Sequence, residues 1–85
     1  MTIKVLYFAW LREKIGRASE MLDPPGETAT VADLVAWLKT RGPEYEDGFR
    51  RPDVIRAAID QSHVKLDAPI AGAREIAFFP PVTGG

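Results

Sequence analysis

The chain has 85 residues, of which 46% are hydrophobic and 27% charged, with a formal net charge of -1. That length suits one small domain with a radius of gyration of about 12 Å, and the balanced charge lacks the basic footprint of a nucleic-acid binder. Cysteine is absent and His63 is the only histidine, which excludes a disulfide framework, a thiolate metal site, a cysteine nucleophile and a histidine-based zinc site.

The opening Met1-Thr2-Ile3-Lys4 has no basic segment leading into a long apolar core, so no signal peptide is expected. Nor does any apolar run reach the roughly 18 residues of a membrane helix. The expected setting is the cytoplasm, away from membranes and nucleic acid. From Thr2 to Trp10, Ile3, Val5, Tyr7 and Ala9 alternate with Lys4, Leu6, Phe8 and Trp10, which predicts a central strand with apolar groups on both faces. Leu11–Ile15 is a helical turn stopped by Gly16, and Ser19–Leu22 a second strand pairing with the first. Asp23-Pro24-Pro25-Gly26 is a turn that neither helix nor sheet can continue through.

Thr30-Val31-Ala32-Asp33 has the form of a capping box, in which a hydroxyl accepts from a first-turn amide and an acid favours the positive helix end. Val31, Leu34, Val35 and Leu38 then recur at helical spacing, predicting the one long helix, ended by Gly42-Pro43. In Glu44–Pro52, Tyr45 and Phe49 stand four apart and suggest an apolar anchor on a short helix with Glu44, Glu46 and Asp47 exposed. Ile55, Ala57 and Ile59 alternate with Arg56, Ala58 and Asp60 as a third strand, and Gln61-Ser62 connects it to a fourth at Val64–Leu66. A loop over 67–73 leads to a last strand, Glu75–Phe79, stopped by Pro80-Pro81. A helix after the first strand pair, with strands following it, predicts an α+β domain with the helix on one face of a mixed sheet. If the first and last strands lie side by side at the centre, they run parallel, which is the β-grasp arrangement. The domain is expected over residues 1–79, with a flexible reactive tail over 80–85.

Residues 76–85 read IAFFPPVTGG, ten residues without a charged side chain. Pro80 and Pro81 favour an extended segment, and Gly84 and Gly85 carry no side chain, so a carboxylate at Gly85 could pass down a narrow channel to a reactant. The plainer alternative is a frayed chain end without a role. Asp33 reads as a helix-start acid, and Glu44, Glu46 and Asp47 as a solvated face; no residue is assigned to a metal.

These segments together carry a resemblance. The opening IKVLYFAWLREKIG, the helix start TVADL, the segment AAIDQ and above all AFFPPVTGG make the chain similar, over nearly its whole length, to the small, sulfur-carrying subunits of molybdopterin synthase, a ubiquitin-like β-grasp family. Relatives often carry Asn where Asp60 stands, an acidic turn near Ala71-Gly72-Ala73, and an apolar residue where His63 stands. The resemblance implies a fold with one main helix on a mixed sheet and an extended tail. It also implies that an adenylating enzyme joins the Gly85 carboxylate to AMP from ATP, and that a persulfide source converts this acyl-AMP to a thiocarboxylate. Its sulfur would then reach cyclic pyranopterin monophosphate on the large, catalytic subunit, within a heterotetramer of two small and two large subunits. No cofactor would be bound permanently. Gly85 and Gly84 would form the reactive end. Phe8, His63, Phe79, Pro80, Pro81, Val82, Thr83 and Arg12 would meet the partner. Adjacent strand residues face opposite ways, so one of Phe78 and Phe79 is expected in the core and the other, taken as Phe79, to dock; the plainer alternative is both rings in the core. The rival readings are a carrier for thiamine or cysteine synthesis, a ubiquitin-like modifier of lysines, and a non-covalent β-grasp interaction module.

Overall fold

The computed structural model describes residues 2–81. Five strands form one mixed sheet: β1 (Ile3–Tyr7), β2 (Ser19–Leu22), β3 (Arg56–Ile59), β4 (Ser62–Val64) and β5 (Glu75–Phe79), in the order β2-β1-β5-β3-β4. β1 and β5 lie side by side at the centre and run parallel, while β2 pairs antiparallel with β1 and β3 antiparallel with β5. This is the β-grasp arrangement that the family resemblance implied and that the strand sequence allowed. Three helices, α1 (Ala9–Ile15), α2 (Val31–Lys39) and α3 (Pro43–Gly48), and a 3-10 turn at Pro52–Val54 complete the chain. The radius of gyration is 11.8 Å.

The inward side of the sheet is set by alternation. Ile3, Val5 and Tyr7 of β1 and Ile76 and Phe78 of β5 are all buried, and the parallel register places Val5 against Ile76 and Tyr7 against Phe78. The predicted stripe of α2, Val31, Leu34, Val35 and Leu38, is wholly buried in the same core. Its start is the capping box read from the sequence: Thr30 Oγ1 accepts from the Asp33 amide at 3.2 Å and Asp33 Oδ2 accepts from the Thr30 amide at 3.1 Å. Gly16 ends α1 at φ 87°, and its amide donates to the Arg12 carbonyl at 2.8 Å. The left-handed conformation there is one a side chain would strain.

The 44–52 segment does hold a short helix. Tyr45 and Phe49 are both buried, and Phe49 packs edge-on to Phe78 with ring centroids 5.1 Å apart. Glu44 and Glu46 are exposed, whereas Asp47 is half-buried and pairs with Lys14 Nζ and an Arg50 guanidinium nitrogen, each at 3.0 Å.

Several boundaries differ from expectation, among them the start of α1 at Ala9 rather than Leu11 and the end of β4 at Val64 rather than Leu66. β1 ends at Tyr7 rather than Trp10, because the Phe8 amide makes the last bond to β5, at the Phe78 carbonyl, and Ala9 at φ 55° then turns the chain into α1. Trp10 therefore rides on α1. α2 ends at Lys39 rather than at Gly42-Pro43: the Thr40 hydroxyl donates to the Trp37 carbonyl at 2.6 Å and closes it early, and Gly42-Pro43 opens α3 instead, with the proline where a missing amide hydrogen costs nothing. The helical layer therefore has α1 and α3 packed on each other as well as α2. β4 begins at Ser62, two residues before the expected Val64. Asp60 and Gln61 both take positive φ, 48° and 73°, and form a tight hairpin that puts Ser62 directly opposite Ile59.

Candidate functional site

The helices cover one side of the sheet, and the alternation that builds the core leaves a second apolar surface on the other. Leu6 on β1 lies opposite Ala77 on β5, Ala77 opposite Ala58 on β3, and Ala58 opposite His63 on β4. Ala58 and Ala77 are almost inaccessible yet belong to no part of the helix-covered core. They form a flat floor of methyl groups, and larger side chains stand around it.

Phe79 is the most prominent of these. It faces away from Phe78, which is fully buried, and remains half-buried itself at the end of β5. Its ring meets His63, with centroids 5.3 Å apart at an angle of 54°. Arg56, not Ala58, is the direct β3 partner of Phe79, so the two rings reach each other diagonally across β3. The small side chain of Ala58 leaves room for that contact. Phe8 is 47% exposed and its amide is tied to the Phe78 carbonyl, so it stands beside the strand end from which the chain continues into Pro80 and Pro81. Both prolines are half-buried.

The structure thus brings Phe8, His63, Phe79, Pro80 and Pro81 to one face and one strand end. Arg12 is exposed one turn into α1 and forms no ion pair among the described residues. Val82, Thr83, Gly84 and Gly85 lie outside the described residues. Among the described residues, no three His, Asp or Glu side chains gather as they would around a metal ion, and no helix is long and apolar enough to cross a membrane.

Two acids to which the sequence assigned no structural role tie the fold together, Asp60 at the edge of the open face and Glu20 on the helix side. Asp60 Oδ1 accepts from the backbone amides of Arg74 and Glu75 at 3.1 and 2.9 Å, fixing the start of β5 to the β3–β4 hairpin. Glu20, on β2, lies on the helix side, opposite Val5. Its Oε2 accepts from the hydroxyls of Tyr7 at 2.8 Å and Tyr45 at 2.6 Å, and its Oε1 pairs with Arg17 and Arg41 at 3.0 and 3.3 Å. Burial opposes the Glu20 charge, but the two hydroxyls and two guanidinium groups outweigh it and hold the carboxyl below its ordinary range. The same burial, with the adjacent carboxylate, pushes the Tyr7 hydroxyl far above its ordinary range. A signal for Glu20 existed: it shares its strand parity with Leu22, so an inward strand face carries an acid that needs partners.

Comparison with known proteins places this geometry. A profile of the ThiS family matches residues 5–85. The chain belongs to the ThiS family. Among curated relatives, the molybdopterin synthase sulfur carrier subunit of Escherichia coli (strain K12) is 40% identical over 85 residues, covering 98% of this chain and 99% of the relative. Among solved structures, SAMP1 from Haloferax volcanii superposes with a TM-score of 0.73 at 26% identity, over 100% of both chains. A putative molybdopterin converting factor, subunit 1, from Pyrococcus furiosus gives a TM-score of 0.71 at 26% identity, over 96% of this chain and 99% of that one. The fold of this family member is the ubiquitin-like β-grasp.

Proposed function

We propose that this chain is the sulfur carrier of molybdopterin biosynthesis, holding sulfur as a thiocarboxylate at Gly85. The observation that carries this reading is the 40% identity, over nearly the full length of both chains, to a molybdopterin synthase sulfur carrier subunit. The composition agrees with it: a chain without cysteine has no thiol on which to hold sulfur.

A free carboxylate is a poor acyl donor, so an adenylating enzyme first joins Gly85 to AMP from ATP with release of pyrophosphate. A persulfide then attacks the acyl carbon and AMP leaves. A thiol cleaves the S–S bond of the resulting acyl disulfide, departing as a disulfide and freeing the thiocarboxylate. The resulting thiocarboxylate is a soft nucleophile. The large synthase subunit directs it onto cyclic pyranopterin monophosphate, and two deliveries supply the two dithiolene sulfurs. The small chain donates the sulfur, and the acid-base side chains stand on the large subunit. The complex is a heterotetramer of two small and two large subunits in the cytoplasm. Docking uses the open sheet face, where Phe8 and Phe79 offer apolar area beside the root of the tail and the alanine floor lets a partner surface lie close.

The test is an intact mass of the chain after incubation with the adenylating enzyme, ATP, a persulfide donor and a thiol reductant. The expected result is exchange of one oxygen for sulfur, lost when Gly85 is deleted. High-mass lysine conjugates instead would indicate a protein modifier, and an unchanged mass with active adenylating enzyme would refute the covalent role. Phe79→Asp places a charge where an apolar partner must close, and should weaken binding to the large subunit at least tenfold; unchanged binding would remove this face as the docking surface.

A further inference from the structure

The open face is apolar at its centre except for one ring that can change charge. His63 is exposed at the edge strand, and its ring contact is with Phe79 rather than with a carboxylate. The charged groups that this face presents are Arg56 on β3, Glu75 at the far end of β5 from Phe79, and Lys4 on β1, while Lys65 follows β4 in the chain. Asp60, at the hairpin, already has its Oδ1 engaged by two backbone amides. The helices lie on the other side of the sheet. No ion pair to His63 exists among the described residues.

A partner that covers Phe79 must also cover the imidazole resting on it. In its neutral form the imidazole extends the aromatic surface. Its protonated form carries a charge that covering would take out of water, beside Arg56 and without an acid to compensate it. Histidine is the side-chain type whose charge ordinarily changes between about pH 5 and 8.

We propose that His63 makes docking on this face proton-dependent: the chain binds its partner through the neutral imidazole, and protonation weakens the complex. This rests on the docking reading above. It commits the partner surface opposite His63 to be apolar and free of carboxylates, and it makes His63 the residue that tunes the strength of docking, where an aliphatic side chain would set a constant affinity.

The experiment measures dissociation constants for the purified large subunit with the wild-type chain, His63→Leu and Phe79→Asp between about pH 7.5 and 5.5, a window chosen to span ordinary histidine titration. The ratio of wild-type to His63→Leu affinity cancels any titration of the large subunit. Because one excluded proton changes affinity by at most about tenfold per pH unit, that ratio should fall severalfold or more across the window and by no more than about a hundredfold. If Phe79→Asp binds weakly while the ratio stays flat or rises, the docking face stands and the proton dependence is overturned; a rising ratio would reveal a carboxylate on the partner. If Phe79→Asp binds like wild type, the docking reading fails and this inference fails with it.

Discussion

Glu20 accepts from four side chains on four parts of the fold, so its replacement has a cost that can be assigned bond by bond. The two guanidinium contacts are partly exposed, with 52% and 30% of the Arg17 and Arg41 side chains accessible, and each contributes no more than about 1 kcal/mol. The hydroxyl contacts are different. Tyr7 and Tyr45 are 1% and 3% exposed, and both hydroxyls donate to one carboxylate oxygen. Hydrogen bonds to a charged group contribute about 1.5–3 kcal/mol net, and a stranded buried hydroxyl costs a further penalty.

Glu20→Ala should therefore lower stability by at least about 3 kcal/mol, which in a domain of this size is at least roughly 12 °C in Tm. Glu20→Gln, which keeps the shape and one acceptor, and Tyr45→Phe, which removes one donor, should cost about 1–2 kcal/mol each. Their double variant should cost less than the sum, since they share a bond. The pH dependence follows from the direction of the shift. Because the folded-state carboxyl is held below its ordinary range, its contribution is complete above the unfolded pKa of about 4.3 and is lost as pH falls through the lower folded value. The Tyr7 and Tyr45 hydroxyls are raised, so their contribution is complete below about pH 10 and is lost as pH rises further. Urea unfolding followed by circular dichroism from about pH 3 to 7 would measure the acid limb of this dependence. A loss under about 1 kcal/mol for Glu20→Ala, or an acid limb in Glu20→Gln as steep as in wild type, would refute the assignment.

Two further outcomes test the local geometry. Asp60→Asn should change stability by less than about 0.5 kcal/mol, because its amide oxygen can still accept from Arg74 and Glu75 and asparagine tolerates positive φ; Asp60→Ala loses both features and should cost about 2 kcal/mol in the same denaturation assay. Thr30→Ala removes the hydroxyl that accepts from the Asp33 amide and should cost about 1 kcal/mol, read as a drop in Tm with the fold retained.

The parts of this fold that were legible in the sequence are those written in local periodicity. Val31, Leu34, Val35 and Leu38 announce α2, and the Thr30–Asp33 pair marks its start. The opposed facing of Phe78 and Phe79 follows from strand geometry and holds in the structure. What escaped depends on contacts between distant segments. The early end of β1 is set by a bond from Phe8 to a carbonyl on β5, some 70 residues away. β4 starts where it does because two non-glycine residues adopt positive φ, which their identities do not demand. The alanine floor escaped for a related reason: Ala58 and Ala77 read as weak strand residues in isolation, and gain meaning only when the register places them side by side. Of the candidate site, Phe8 and Phe79 were marked by the family resemblance, while the contact between His63 and Phe79 needed the pairing of three strands.

The position of β5 has a mechanical consequence. A load applied beyond Phe79 along the chain enters the domain through β5. That strand is bonded on both flanks, parallel to β1 and antiparallel to β3. A pull along the strand axis loads those bonds together in shear, where a pull across an edge strand would break them one after another. The central place of β5 thus makes the domain resist a pull applied at the end of that strand.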